Sequence, residues 1–136
     1  MLGEKPEPAA IQCTDSDGRR QILHIQSAGK QLIAAKRDGG ATLFFRVTEA
    51  LQVVGAIARH ASWVAGDNCG RRPLRVTINA AGRDGTRECA HIESTGAHVL
   101  LLREGGVFLH LDLRGAVKAV ESITAHVRWL IAGRSS

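Results

Sequence analysis

The stretch "HIQSAG" at His24–Gly29 returns as "HIESTG" at His91–Gly96, and this echo limits the possible folds more than any other feature of the chain. At the same offset Ile11 falls on Ile78, Asp17 on Asp84 and Gly18 on Gly85. One residue is dropped between 30 and 36. After it, "RDGG" (Arg37–Gly40) lies on "REGG" (Arg103–Gly106), Leu43 on Leu109, and His60 and Trp63 on His126 and Trp129. Glycines, apolar positions and both tryptophans keep their order. Residues 11–66 and 78–133 therefore read as two copies of one unit, joined by a linker at 67–77. Residues 1–10, with prolines at 6 and 8 among charged residues, read as a mobile tail.

Each unit opens with a short apolar run ended by Asp-Gly turn chemistry, "DSDG" or "GRDG". A second run ends at Gly29 or Gly96, and a third at the Gly-Gly pairs. The fourth, "ATLFFRV" or "VFLHLDL", alternates strictly. Ala41, Leu43, Phe45 and Val47 share one face, as do Val107, Leu109, Leu111 and Leu113, because strand side chains change face at every residue. The period then changes. Ala50, Val53, Val54, Ile57, Ala61 and Val64 recur at helical spacing, as do Val117, Val120, Ile123, Val127 and Leu130. Gly66 and Gly133 stand where these helices should stop. The expected fold is α+β: a duplicated ββββα unit forming two four-stranded antiparallel sheets, with two helices sharing one core. One unit alone is too small to cover its own apolar faces, so residues 11–133 should form one domain.

No apolar run approaches the length that crosses a bilayer, and "MLGEKPEPAA" lacks the apolar core of a signal peptide. Cys13, Cys69 and Cys89 are odd in number and stand outside the repeated pattern. They read as reduced thiols, and the expected location is cytoplasmic. The net charge of +5 is unevenly placed. Residues 11–66 hold seven Lys/Arg against four acids, whereas 78–133 hold six against six. The linker adds Arg71, Arg72 and Arg75. A basic half beside a neutral half fits a polyanionic partner, and simple solubility is the alternative.

The tandem ββββα order resembles the PC4/Whirly class of single-stranded nucleic-acid-binding proteins. "GGATLFFRVTEALQVVGAI" is similar to the last strand and helix of such a unit. The Lys-Gly-Lys-Ala-Ala-Leu motif of plant Whirly proteins is absent; "SAGKQLIAAK" (Ser27–Lys36) is the nearest stretch. The resemblance implies a non-catalytic binder of single-stranded DNA or RNA, serving transcription, replication or repair. It also implies a homo-oligomer, dimer or tetramer, with no cofactor or metal.

Alternation alone places Thr42, Phe44 and Arg46 on the sheet face away from the core, with Arg20, Ile22, His24 and Gln26 on the second strand. Lys30, Lys36 and Arg37 adjoin that face at turns. Cations that track phosphates beside a ring that stacks on bases are what single-strand binding needs. The candidate binding set is therefore Arg20, Lys30, Lys36, Arg37, Phe44 and Arg46, with Arg71, Arg72 and Arg75 of the linker. A solvated outer face, with Phe44 against a neighbouring subunit, is the competing reading.

The second unit differs at this face, with Arg87, Cys89, His91, Glu93, Phe108, His110 and Asp112. A metal or proton-transfer set on the His91/His110/Asp112 face is one reading. A hydrogen-bonded polar face is the other, since no ligand pair has zinc-site spacing. His60 with Trp63, and His126 with Trp129, repeat in both copies and read as structural. No phosphate loop or nucleophile elbow is present, so an enzyme is the weakest reading. A protein-interaction module pairing through exposed sheet edges is the alternative to nucleic-acid binding.

Overall fold

The computed structural model describes residues 4–38, 40, 42–103 and 109–134. The order of elements is β1 (Ala9–Thr14), β2 (Arg20–Ala28), β3 (Leu32–Arg37), β4 (Thr42–Arg46) and α1 (Val47–Ala65). It then runs through β5 (Val76–Ala81), β6 (Arg87–Ser94), β7 (Val99–Arg103), β8 (Leu109–Leu111) and α2 (Leu113–Arg134). Ala41, Val107 and Phe108, named above, lie outside the described residues. Gly18 and Gly85, in the two Asp-Gly turns, have φ of 77° and 80°, a left-handed conformation that favours glycine.

The two expected sheets do not stay separate. All eight strands form one closed antiparallel barrel in sequence order. Within each half the ladders are long; β1 pairs with β2 from Ala9↔Ile25 to Thr14↔Arg20. Two seams close the barrel, with one bridge at each among the described residues: Phe44↔Ala81 between β4 and β5, and Thr14↔His110 between β8 and β1. The physical reason is edge satisfaction. Duplication sets the last strand of each copy beside the first strand of the other, and closing both seams removes the edges that two open sheets would expose. Alternation within a strand carries no information about that closure.

Both helices pack against the inward strand faces, and they are exchanged. α1, from the first copy, packs mainly on β5 and β6 of the second, while α2 packs mainly on β1 and β2 of the first. The repeated hexapeptide explains the exchange. Its isoleucine points inward and is fully buried, Ile25 at 1% and Ile92 at 0% exposure. Two residues on, its serine meets the histidine of the opposite copy's helix. The Ser94 hydroxyl lies 2.7 Å from His60 Nδ1 and the Ser27 hydroxyl 2.7 Å from His126 Nδ1. Both histidines are completely buried. His60 Nε2 also reaches the Leu74 carbonyl at 3.0 Å. A carbonyl only accepts, so His60 carries its proton on Nε2 and Nδ1 accepts from the serine.

The tryptophans repeat the exchange one turn further on. Arg72 lies over the Trp63 ring at 5.4 Å, and Lys5 over Trp129 at 5.5 Å. Residues 5 and 72 share the repeat offset, so the duplication reaches into the segment expected to be a mobile tail, and β1 already includes Ala9 and Ala10. α1 stops at Ala65, but the left-handed residues after it are Asp67 and Asn68 rather than Gly66, and α2 runs through Gly133. Inside the barrel an apolar void of only about 20 Å³ remains between the helices and strands. That volume is on the scale of a single water molecule, so this space among the described residues is filled core and not a ligand cavity. Among the described residues no helix is long and apolar enough to cross a membrane.

Candidate nucleic-acid interface

Cross-strand register sorts the candidate residues by face and by row. Phe44 is directly opposite Ala34 on β3 and Ala81 on β5, and Ala81 is opposite Arg87 on β6. The half-buried Phe44 ring is thus flanked by a methyl group on each side. Arg87 stands two strands away, about 10 Å at ordinary strand spacing. Arg46 and Leu32 form the next row, and Thr42, Lys36 and His24 the row on the other side. Lys30 lies in the β2–β3 turn, which forms an open groove of about 630 Å³ with Arg46, Val47 and Thr48.

The start of α1 strengthens the basic character of that groove. Arg46 occupies its N-cap position and makes no side-chain cap. The equivalent residue before α2 is Asp112, whose carboxylate accepts the Gly115 N–H at 2.7 Å. The first-turn N–H groups of α1 are therefore without the carboxylate that serves α2, and a cation stands in its place. Unsatisfied first-turn donors favour an anion. Glu49 in the same turn is held by the Thr48 hydroxyl. Among the described residues Lys30, Lys36, Arg46 and Arg87 make no ion pair.

The structure brings Lys30, Lys36, Phe44 and Arg46 together and separates them from the other candidates. Arg20 is opposite Thr14, which bridges to His110, so it belongs to the β8–β1 seam. Arg37 pairs with the inward Leu23 and therefore takes the opposite face from Phe44; it is not at the adjoining turn. Its guanidinium folds over Gly40, where an added Cβ would meet Nε at 2.6 Å. Arg72 covers Trp63. Arg75 is forked on Glu93 at 3.0 and 3.3 Å, a pairing that raises its pKa further. Arg71 is exposed in the linker.

Arg87 is the residue this surface gains. It reads as part of the second copy until the β4–β5 seam closes, and only the register places it beside Phe44.

The His91/His110/Asp112 face also divides. His91 Nδ1 is 2.9 Å from the Thr77 hydroxyl on β5, while His110 and Asp112 line a groove with His98 on the far side of the barrel. Among the described residues no three His, Cys, Asp or Glu side chains gather as a metal cluster. Burial pushes the Cys13 thiol up to about 11, with Asp15 adding to the effect against a backbone hydrogen bond, so it is un-ionised and inert at neutral pH. Comparison with protein-family models, curated proteins and solved structures finds no match, so the reading of this surface rests on its geometry.

Proposed function

We propose that the chain is a non-catalytic single-stranded nucleic-acid-binding protein whose contact surface is the outer face of the barrel at the β4–β5 seam. One observation carries the reading: an aromatic ring with Ala34 and Ala81 opposite it stands among four cations that make no ion pair among the described residues. The ring offers a stacking platform indifferent to base identity, while Lys30, Lys36, Arg46 and Arg87 follow the phosphates on both sides. Barrel closure supports this reading over an edge-pairing interaction module, which needs open strand edges.

Labelled single- and double-stranded oligonucleotides of equal length, titrated over a salt series, test it. Wild-type protein is expected to prefer the single strand, with log affinity falling by roughly 0.7 per phosphate contact against log salt. Arg46→Ala should weaken all sequences about equally and flatten that slope by about 0.7–1. Failure to retain any single-stranded oligonucleotide at low salt would end this reading.

A further inference from the structure

We propose that His98 and His110 form a binding site for a borderline divalent transition metal ion (zinc, nickel or copper) in the groove of the β8–β1 seam. The two imidazoles meet edge to face, with ring centroids 5.8 Å apart. The β7–β8 register explains the meeting: Leu100 is opposite His110, which leaves His98 diagonal to it on the same outer face. Neither ring has a hydrogen-bond partner among the described residues, whereas the outward His24 and His91 are held by Asp38 and Thr77.

A metal bonds imidazole nitrogen at about 2.0–2.1 Å, which puts it roughly 3.2 Å from a ring centroid. Two rings sharing one ion then stand about 5.2 Å apart at a tetrahedral angle and at most about 6.4 Å apart, so the 5.8 Å pair reaches tetrahedral geometry by closing about half an ångström.

The groove, about 520 Å³, supplies oxygen donors from Gln12, Thr14 and Asp112. One Asp112 oxygen accepts from the Gly115 N–H, which leaves the two imidazole nitrogens as the protein's ligands, in keeping with the absence of a three-residue cluster among the described residues. Arg20 lines the same groove and opposes a cation, while Asp15 and Asp112 offset it.

Comparison of the copies sharpens the assignment. The positions equivalent to His98, His110 and Asp112 hold Leu32, Phe44 and Arg46 in the first unit. Where the second unit has two nitrogen ligands and a carboxylate, the first has two hydrocarbon side chains and a cation. The duplicated seams have diverged toward opposite charge preferences.

The test is calorimetric titration of untagged full-length protein, stripped with a chelator and dialysed, with nickel chloride at neutral pH. One equivalent should bind. His98→Ala and His110→Ala should each weaken binding about tenfold or more, while His24→Ala and His91→Ala leave it within about twofold. Without any substitution, substoichiometric copper(II) should broaden the His98 and His110 ring resonances before those of other histidines. Wild-type binding no tighter than that of the doubly substituted protein, or broadening centred on His24 or His91, overturns the proposal.

Discussion

His60→Ala is expected to lower the unfolding free energy by about 2–4 kcal/mol, measured by urea denaturation. The imidazole is fully buried, so its removal leaves a cavity and strands the Ser94 hydroxyl and the Leu74 carbonyl. His126→Ala should do less. Its Nδ1 bond to Ser27 matches that of His60, but its Nε2 lacks a well-formed partner, with the Glu7 carbonyl nearby. Equal losses at the two sites would show that the carbonyl contact contributes nothing.

The same residues set an acid limit. Burial is the main cause lowering the pKa of both histidines below the ordinary 6.5, opposed by the backbone contacts to Leu74 and Glu7. The unfolded chain therefore takes up protons first as pH falls. Stability should be full above about 6.5 and decline from there down through the folded-state values, by up to about 1.4 kcal/mol per pH unit for each histidine. His60→Ala should remove its share of that slope and leave those of His126 and His110, as read from denaturation midpoints at a series of pH values. An unchanged slope would assign the acid lability to other groups.

Phe44→Ala carries the largest expected effect on binding. Loss of a stacking platform corresponds to about 1–3 kcal/mol, or roughly 5- to 150-fold in affinity for a single strand. The salt slope should hardly move, since no phosphate contact is removed. His110→Ala occupies the equivalent position at the other seam and should change affinity by less than about twofold. Anisotropy titrations of both variants decide the matter: equal losses would spread binding around the barrel, and no loss at Phe44 would remove the stacking role.

Local signals in this chain were legible and non-local ones were not. Asp-Gly turns, strict alternation in "TLFFR" and helical spacing from Ala50 to Val64 each depend on neighbours within a few residues, and the elements stand where those signals place them. Barrel closure rests on pairings between residues far apart in sequence, Phe44 with Ala81 and Thr14 with His110. The helix exchange likewise rests on contacts between copies, so duplication alone leaves open which sheet each helix covers.

The candidate surface divides in the same way. Alternation identifies Phe44 and Arg46 as outward, but cannot say that Arg20 belongs to the opposite seam while Arg87 belongs here. Arg37 falls on the opposite face because β3 extends one residue further than its turn suggests. Arg72 and Arg75 look free in the sequence because Trp63 and Glu93 become their neighbours only on folding.

The exchanged helices also impose a timetable on synthesis. His60 finds Ser94 after only 34 further residues, whereas Ser27 must wait 99 residues for His126. At ordinary translation rates these delays are roughly 2–7 s and 5–20 s. During the longer one, β1 and β2 are outside the ribosome with Ile11, Leu23 and Ile25 lacking the helix that covers them. A nascent chain paused in the linker holds a helix meant for strands not yet made and strands meant for a helix not yet made. The apolar faces of the first copy thus wait for the second to be complete, and rare codons after residue 66 would prolong that exposure.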